Sequence, residues 1–358
     1  MPDRSSTCPS PSPLEVTEHR AHSCRCTQCG ASTQAAFPAG VTAPVQYGAR
    51  ITAWILYLLH YQFIPEDRVV ELMADLFGVK LAAATLARMS AACATRFQGF
   101  MDVVYRFIQA VAVKHLDETG FRIGGKTQWL HIAATRWLTF YRTAPKRGSR
   151  WEGLLGIVVH DHWKPYYTLT GVLHALCNAH HLRELQALIE IDKEPWAQRM
   201  QRLLRRACHA VNLARACGKT LKPRLVERFQ RRYDAIVAAG LAFHEALPPL
   251  PQRGSGPRRG RPRCRTGHNL LLRLETRRDD VLRFLTDPRV PFTNNLAEQA
   301  ARMMKLRQKI SGGFRSEQSA RDFAVIRSLI ATAKKQEWNV IHTLTQPPAL
   351  LIAQLRTE

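Results

Sequence analysis

The sequence predicts an α/β fold, in which a mixed sheet is flanked by helical regions on both sides along the chain. Strand-like runs follow one another from residue 111 as VAVKHLDETG, TQWLHIAAT, WLTFYRT and GLLGIVVHD, with a short helix expected at residues 150–154. Helical periodicity covers residues 50–96 and returns from residue 269 nearly to the end. With 46% hydrophobic residues in 358, the chain can bury a core in two or three domains.

The first helical stretch, PEDRVVELMADLFGVKLAAATLARMS, predicts two helices joined by a tight turn at Gly78. A helix-turn-helix of this kind can place its second helix in the major groove of DNA. A plain helical hairpin that packs on a neighbouring element is an equally good interpretation. The small core of either arrangement is expected to contain Ala74, Leu76, Val79, Leu81 and Leu86.

The charge of the chain indicates a polyanionic partner. Lys and Arg number 52 against 28 Asp and Glu, a formal net charge of +24, which favours nucleic acid over an anionic membrane surface. No run of about 18 apolar residues and no apolar signal-peptide core occur, so we expect an intracellular protein without a membrane partner. Residues 196–232 contain eleven Lys and Arg and one acid, and the Arg-rich stretch PLPQRGSGPRRGRPRCRTG is expected to be a mobile loop that contacts phosphates.

Nine cysteines, an odd number, fit a reducing compartment without disulfides. Near the N-terminus, after a Pro- and Ser-rich stretch predicted to be disordered, Cys26 and Cys29 form a C-x-x-C pair that is a candidate zinc ligand set. Structural zinc normally needs two such pairs, so one pair predicts weak binding. Further candidate ligands nearby are Cys8, His19, His22 and Cys24.

Three carboxylates occupy positions that suit metal-dependent chemistry. Asp117 is expected at the end of the first strand, Asp161 at the end of the fourth, and Glu298 in the first turn of a helix that begins in FTNNLAEQAARMMK. Carboxylates at one sheet edge can hold Mg²⁺, and two such ions support phosphodiester chemistry without a covalent nucleophile. Because three carboxylates in one pocket repel one another, the site should bind cations readily.

Each carboxylate also has a purely structural interpretation. Asp117 can cap a turn at DETG, and Asp161 can cap the segment before Pro165. Glu298 can complete a capping box with an asparagine cap at Asn294 or Asn295. The order sheet, sheet, helix in a strongly basic chain favours the metal site over these alternatives.

Four stretches, HLDETGFRI, GIVVHDHWKPYY, CNAHHLREL and NNLAEQAARMMKLRQKISGGFRS, resemble the signature blocks of bacterial transposases of the insertion sequence 66 family. Upstream, FPAGVTAPVQYGARITAWILYLLHYQFIPEDRVVELMADLFGV resembles the DNA-binding region of that family. The resemblance runs from about Glu18 to the C-terminus. It implies a ribonuclease-H-like catalytic domain with a large helical insertion, preceded by a helical, helix-turn-helix-like DNA-binding region.

The resemblance assigns the roles of an Asp, Asp, Glu triad to Asp117, Asp161 and Glu298, which would bind two Mg²⁺ or Mn²⁺ ions. The implied reaction is hydrolysis at transposon ends that exposes a 3′ hydroxyl, followed by attack of that hydroxyl on target DNA. The implied partners are transposon-end and target DNA, further copies of the chain on DNA and accessory proteins encoded by the element. The implied location is the bacterial cytoplasm, at the nucleoid.

The domain boundaries expected from these arguments divide the chain into six parts. They are an N-terminus with a partial zinc-binding segment (1–48), a helical DNA-binding region (49–109), the first catalytic part (110–181), a basic helical insertion (182–285), the last catalytic helices (286–345) and a C-terminal tail (346–358).

Several side chains near the triad have two interpretations. Cys177 and His180 form a C-x-x-H pair that resembles a Cys/His signature of this class of transposase, and packing is favoured over zinc. His160 and His162 flank Asp161, and strand alternation directs them away from its face, which favours packing or DNA contact. Candidate DNA contacts, each of which can also belong to a solvated basic face, are Lys164, Arg302, Lys305, Arg307 and Lys309.

The N-terminal cysteines depart from the family pattern, which usually has two C-x-x-C pairs after a helical N-terminal stretch. We therefore expect a chain that is truncated at its N-terminus relative to the family. This leaves an alternative function open, that of a truncated or inactive DNA-binding relative that occupies transposon ends without cleaving them.

Overall fold

The computed structural model describes residues 15–148, 151–250 and 264–357. The predicted disorder of the first residues, the candidate ligand Cys8 and most of the predicted Arg-rich loop therefore lie outside the described residues. Within the described ranges the chain forms a small two-stranded sheet, a five-stranded mixed sheet and twelve α-helices. The predicted α/β class is thereby confirmed at the level of a mixed sheet among many helices.

The N-terminal segment forms a hairpin of β1 (Ser23–Arg25) and β2 (Ser32–Gln34), which are antiparallel. Its turn is closed by hydrogen bonds from Gly30 N–H to Cys26 O (3.0 Å) and from Cys26 N–H to Ala31 O (2.8 Å). The exposed pair Cys26 and Cys29 therefore lies in a turn that the backbone holds in place.

Three helices follow, namely α1 (Ala49–His60), α2 (Glu66–Phe77) and α3 (Ala83–Ala110). Helix α2 ends at Gly78, whose φ of 67° is left-handed, as is common after a helix C-terminus. The predicted core positions Val79, Leu81 and Leu86 are buried there.

One predicted core residue of this region is wrong, because Leu76 is 57% exposed. The inner face of α2 is instead supplied by Val69 and Met73, which are one helical turn apart and almost fully buried. Helix α3 continues well beyond this small core, and its second half, including Phe97, Phe100 and Val104, packs in a core shared with the large sheet. One helix thus connects the N-terminal helices to the sheet.

The large sheet contains β3 (Val113–Ile123), β4 (Lys126–Ala134), β5 (Thr139–Ala144), β6 (Gly156–His160) and β7 (Val172–Leu176). Its spatial order is β5-β4-β3-β6-β7. The pairs β3–β4 and β4–β5 are antiparallel, and the pairs β3–β6 and β6–β7 are parallel. Strand β7 was not predicted, because the run GVLHALC is short and leads directly into a helical pattern.

Two details of the predicted sheet are corrected. Asp117 lies inside β3 rather than at its end, because β3 continues to Ile123 and turns into β4 at Gly124 and Gly125, which both have positive φ. The interpretation of Asp117 as the cap of a turn at DETG is therefore wrong. The helix expected at residues 150–154 is also absent from its described part, since residues 151–155 form neither helix nor strand.

The two faces of the sheet have different coverings because side chains alternate along each strand. Leu116 of β3 and Val158 of β6 face a core formed with α3 and α10 (Glu317–Lys335). On the other face, Phe121 of β3 packs with α9 (Asn295–Ser311), and Ile157 and Val159 of β6 pack with the helices of the predicted insertion. Asp117 is an even number of residues from Phe121, and Asp161 is an even number from Val159, so alternation assigns both aspartates to this second face.

The remaining helices are α4 (Asn178–Ala187), α5 (Pro195–Ala216), α6 (Pro223–Glu245), α7 (Thr266–Thr276), α8 (Arg278–Thr286), α11 (Val340–Thr345) and α12 (Pro348–Ala353). Helices α5 to α8 pack on one another, and α8 contacts β7. The packing of α6 on α7 is close, because a Cβ at Gly240 would lie 2.7 Å from Leu271. The helices of this part of the chain therefore share one hydrophobic core, which extends to β6 and β7 of the sheet.

Candidate active site

A row of polar side chains lies just beyond the parallel pairing of the sheet, inside β3 and directly after β6 and β7. His115 of β3 is in register with Val159 of β6, and His160 of β6 is in register with Leu176 of β7. Continuing both registers past the paired residues sets Asp117, Asp161 and Cys177 next to one another. The extrapolated registers thus make Asp117, Asp161 and Cys177 neighbours, although Asp117 is not at the end of its strand as expected; their role at a metal site stays a prediction.

Asp117 is the most perturbed acid of this row. Its Oδ1 accepts a hydrogen bond from the backbone N–H of Glu118 (2.8 Å). Burial, with a smaller contribution from the negative charges of Asp161, Glu118 and Glu298, raises the pKa of Asp117 to about 7 against the lowering effect of that hydrogen bond. Asp161 and Glu298 therefore lie near enough to act on Asp117 through space.

Asp161 follows β6 directly and is only half-buried. Its Oδ1 accepts a hydrogen bond from the backbone N–H of Trp163 (3.0 Å), which orders the turn before a 3-10 helix at Lys164–Thr168. His162, between them, has a φ of 72°, an uncommon conformation for a residue with a side chain. Asp161 thus accepts a hydrogen bond within the turn before Pro165, close to the capping role that was predicted. Its other carboxylate oxygen, Oδ2, forms no hydrogen bond to that turn.

Glu298 lies in the first turn of α9, as expected from the sequence. It does not form the capping box, because the backbone N–H of the N-cap residue Asn294 donates to Cys177 Sγ (3.1 Å) and not to a carboxylate. Instead Glu298 Oε1 accepts a hydrogen bond from the Cys177 thiol (3.2 Å) and lies 3.6 Å from His180 Nδ1. Arg302, one turn further along α9, is 3.9 Å from Oε2.

Asn294 connects the start of α9 to the sheet, a role that the sequence did not indicate. Its side chain is fully buried and does not cap the helix. Its Nδ2 donates to the carbonyl of Leu116 (2.8 Å), and its Oδ1 accepts from His115 Nδ1 (3.0 Å). Burial lowers the pKa of His115 to about 4, so the ring is neutral and the Nδ1 proton belongs to this bond. These contacts fix the position of Glu298 relative to β3.

Cys177 and His180 meet Glu298 because of the geometry of α4. Cys177 is the residue before the helix and His180 lies in its first turn. Among the described residues, these three are the one group of His, Cys, Asp or Glu side chains whose ligand atoms all lie within 4.8 Å of one another. Burial raises the pKa of the Cys177 thiol to about 11, so the thiol is the donor in its bond to Glu298. The sequence indicated the C-x-x-H pair but not its third member.

A second buried carboxylate, Glu118, lies on the opposite face of β3 from Asp117. It forms an ion pair with Arg147 (3.0 Å) and accepts a hydrogen bond from the hydroxyl of Tyr166 in the 3-10 helix after Asp161. The Arg147 guanidinium lies over the ring of Trp163 at 3.7 Å from its centroid. This network ties the segment after Asp161 to β3, and only the position of Glu118 next to Asp117 hints at it in the sequence.

The histidines that flank Asp161 contact neighbouring side chains. His160 is fully buried, with its Nε2 3.1 Å from His174 Nδ1. His162 Nδ1 is 2.7 Å from the hydroxyl of Tyr167, whose ring lies under the guanidinium of Arg277. These positions agree with the packing interpretation of both histidines.

The candidate DNA contacts differ in solvent exposure and in whether they already contact other parts of the chain. Lys164, Arg302 and Lys309 are exposed. Lys305 is exposed but its Nζ donates to the carbonyl of Gly120 (2.7 Å), which joins α9 to β3. Arg307 is half-buried, lies over the ring of Phe314 and has its pKa lowered to about 10 by burial. Its contacts are internal, and its predicted role on DNA stays a prediction.

The N-terminal pair is preorganised but incomplete within the described residues. Backbone N–H groups of Cys29 and Gln28, and the thiol of Cys29, lower the pKa of Cys26, which favours its thiolate. Neither cysteine belongs to a group of three candidate ligands in the described part of the chain. Zinc binding by Cys26 and Cys29 therefore stays a prediction.

Comparison with known proteins identifies the family. No helix in the described ranges combines the length and apolarity needed to cross a membrane. A search of curated proteins found no match. The family model described as Transposase IS66 family matches residues 44–322, which include the three carboxylates, Cys177, His180 and the helices between them. The predicted resemblance is confirmed, and the chain belongs to the IS66 family of transposases.

Proposed function

We propose that this chain is a DNA transposase with an acidic triad of Asp117, Asp161 and Glu298. The observation that carries the proposal is their convergence: Asp117 on β3 lies beyond the register that pairs β3 with β6, Asp161 directly follows β6, and Glu298 is on a helix that Asn294 anchors to β3, while the charges of Asp161 and Glu298 both act on Asp117. A ribonuclease-H-like fold for the sheet and a DNA-reading role for α2 and α3 belong to the same proposal. Membership of a transposase family supports all of these assignments.

The donor set suits divalent cations. Burial and, to a smaller extent, repulsion by the neighbouring carboxylates raise the pKa of Asp117 to about 7, so a cation that relieves the repulsion would replace a proton there as pH rises. Carboxylate oxygens are the ligands that Mg²⁺ and Mn²⁺ prefer. When bound, two such ions would activate the attacking oxygen and stabilise the leaving oxygen of a phosphodiester.

The chain's own residues would bind and orient the DNA at this site. Lys164 and Arg302 are exposed cations close in sequence to Asp161 and Glu298, and they would neutralise phosphates on either side of the scissile bond. Glu118, Tyr166 and Arg147 would keep the segment after Asp161 in place during the reaction. Water and then the exposed 3′ hydroxyl would attack in turn, which gives end cleavage followed by strand transfer at one site.

The partners follow from this function. Transposon ends and target DNA are the substrates, and we propose that several copies of the chain assemble on them, with accessory proteins of the element. The zinc expected at Cys26 and Cys29 would be structural. The site of action would be the nucleoid of a bacterial cell.

The test is a set of carboxylate-to-amide variants assayed on duplex DNA that carries the terminal sequences of the element. Asp117→Asn, Asp161→Asn and Glu298→Gln are each expected to abolish Mg²⁺-dependent cleavage while gel-shift binding is retained. Glu275→Gln, an exposed position on α7, is the matched control and should cleave normally. Cleavage retained by any of the three removes that residue from the triad, and binding without cleavage by the unaltered chain under Mg²⁺ and Mn²⁺ favours the inactive relative.

A further inference from the structure

The cluster formed by Cys177, His180 and Glu298 combines three different ligand types and shares Glu298 with the candidate active site. Glu298 Oε1 is 3.2 Å from Cys177 Sγ and 3.6 Å from His180 Nδ1. His180 Nδ1 is buried and has no hydrogen-bond partner in the described residues. A buried ring nitrogen without a hydrogen-bond partner needs an explanation, and a cation bound by this nitrogen, the thiol and the carboxylate would provide one.

The spacing of these atoms suits a tetrahedral ion. With Zn–S near 2.3 Å and Zn–N or Zn–O near 2.0–2.1 Å, tetrahedral angles separate sulfur from nitrogen or oxygen by about 3.5 Å and nitrogen from oxygen by about 3.3–3.4 Å. Glu298 Oε1 lies 3.2 Å from Cys177 Sγ and 3.6 Å from His180 Nδ1, each within about 0.4 Å of the corresponding tetrahedral separation. All three ligand atoms lie within 4.8 Å of one another, so one ion could contact them after the thiol and the imidazole approach it.

The elements that carry the ligands are held firmly. Cys177 accepts a hydrogen bond from the backbone of Asn294, the N-cap residue of α9, so the start of α4 and the start of α9 are joined at the thiol itself. Asn178, the next residue, is also buried and donates to the carbonyl of Val281. Preorganised ligands of this kind lose little conformational entropy when an ion binds.

We propose that Cys177, His180 and Glu298 form a binding site for a thiophilic divalent cation of the zinc class, which withdraws Glu298 from Asp117 and Asp161. The thiol loses its proton to solvent as the ion binds, and water completes the coordination. The mixed sulfur, nitrogen and oxygen set selects against Mg²⁺, which prefers oxygen alone. The ion therefore acts as an inhibitor that competes with catalytic Mg²⁺ for one shared carboxylate, a consequence that rests on the proposed function.

The binding half of the proposal is tested with Co²⁺, which replaces zinc and reports thiolate ligation by near-ultraviolet charge-transfer absorption. The full chain with Cys26→Ser and Cys29→Ser is the reference, since the exposed N-terminal pair is another thiol source. One equivalent of Co²⁺ is expected to produce the thiolate band in this reference. Cys177→Ser and the half-exposed His180→Asn should each weaken Co²⁺ binding at least about tenfold, in line with the loss of a ligand-shell group.

Asp161→Asn is the control that separates this site from the triad, because it should remove cleavage but leave the cobalt band intact. A band that Cys177→Ser does not change, or no band at all, overturns the metal site whether or not the chain cleaves DNA. Circular dichroism of each variant verifies that the fold is retained. An intact cobalt site in a chain without cleavage activity would overturn the proposed function and leave the metal site standing.

The inhibition half is tested by titrating Zn²⁺ into Mg²⁺-dependent cleavage, with each variant normalised to its own rate without zinc. In the reference chain, raising Mg²⁺ should shift the half-inhibitory zinc concentration upward. Cys177→Ser and His180→Asn should raise it at least about tenfold, matching their loss of Co²⁺ affinity. Equal zinc sensitivity in all variants would overturn the competition for Glu298.

Discussion

At the scale of single residues, Glu298 has two sets of neighbours that compete for its carboxylate. Its first-turn position and the effect of its charge on Asp117 connect it to the two aspartates. Its hydrogen bond from Cys177 and its closeness to His180 connect it to the start of α4. Glu298 does not form the capping box that the local pattern FTNNLAEQ suggests, because the backbone N–H of Asn294 donates to the sulfur of Cys177.

The raised pKa of Asp117 predicts a pH-dependent stability. On folding, this pKa rises from 3.8 to about 7, so the protonated form stabilises the fold fully below pH 3.8, and the contribution is lost as pH rises through about 7. At about 1.36 kcal/mol per unit, the loss is at most about 4 kcal/mol. Without metal, the urea midpoint of the unaltered chain should therefore fall between pH 5 and pH 8, and Asp117→Asn should reduce that fall.

Two comparisons verify this prediction. Asp75→Asn, exposed on α2, should show the same pH dependence as the unaltered chain. Added Mg²⁺ should raise the midpoint of the unaltered chain at pH 8 and should have a smaller effect on Asp117→Asn. A fall between pH 5 and pH 8 that is the same in Asp117→Asn would show that another group titrates.

At the scale of elements, one buried amide anchors the start of α9 to the sheet. Asn294 bonds to Leu116 and His115 of β3, and its backbone bonds to Cys177. Its neighbour Asn295, the first residue of the helix, is exposed. The two adjacent asparagines therefore have different roles that the pattern FTNNLAEQ does not separate.

Asn294→Ala is expected to destabilise the chain by about 1–3 kcal/mol, because the buried carbonyl of Leu116 loses its donor and His115 loses its acceptor. The displaced start of α9 should also lower cleavage, since Glu298 follows four residues later. Chemical unfolding and the cleavage assay measure the two effects. Asn295→Ala is the matched control, for which less than about 0.5 kcal/mol is expected, as for exposed positions in general.

At the scale of the whole molecule, part of the excess positive charge lies on the amphipathic helix α5. Helix α5 buries Trp196, Met200 and Leu204 in the core next to β6 and β7. Its exposed face carries Arg199, Arg202, Arg205 and Arg206. The helix thus uses one face for packing and offers the other to a polyanion.

DNA binding should weaken steeply with salt, because each neutralised phosphate releases counterions and adds about 0.9 to the slope of log K against log salt. The triple variant Arg199→Gln, Arg202→Gln, Arg206→Gln removes three exposed cations spaced for one helix face. We expect its slope to be smaller by about 2–3 with no change in unfolding midpoint. Fluorescence anisotropy at several salt concentrations measures this slope. An unchanged slope in the triple variant would show that DNA does not contact this face of α5.

The matched control for that experiment is Arg321→Gln on α10. Arg321 is exposed and pairs with Glu317 one turn earlier, so its charge is already partly compensated. Its removal should leave the salt slope nearly unchanged. A slope that falls equally in both variants would indicate a general charge effect instead of a contact face.

The sequence by itself determined the features that depend on local pattern and on residue chemistry. Alternation predicted four strands of the large sheet, the run after Gly78 predicted a helix, and the signature blocks predicted the family. The net charge of +24 pointed to nucleic acid. These inferences need only neighbours along the chain or the identity of side chains, which is why they did not require a fold.

Tertiary structure alone decided what depends on register and on contacts between distant segments. The length of β3, and with it the position of Asp117 inside a strand, follows from pairing with β4 across Gly124 and Gly125. The meeting of Cys177 with Glu298, 121 residues later, follows from the parallel register of β7 and from the anchoring of α9 by Asn294. No local pattern encodes such contacts, because they form only when burial of separate segments brings their hydrogen-bonding groups together.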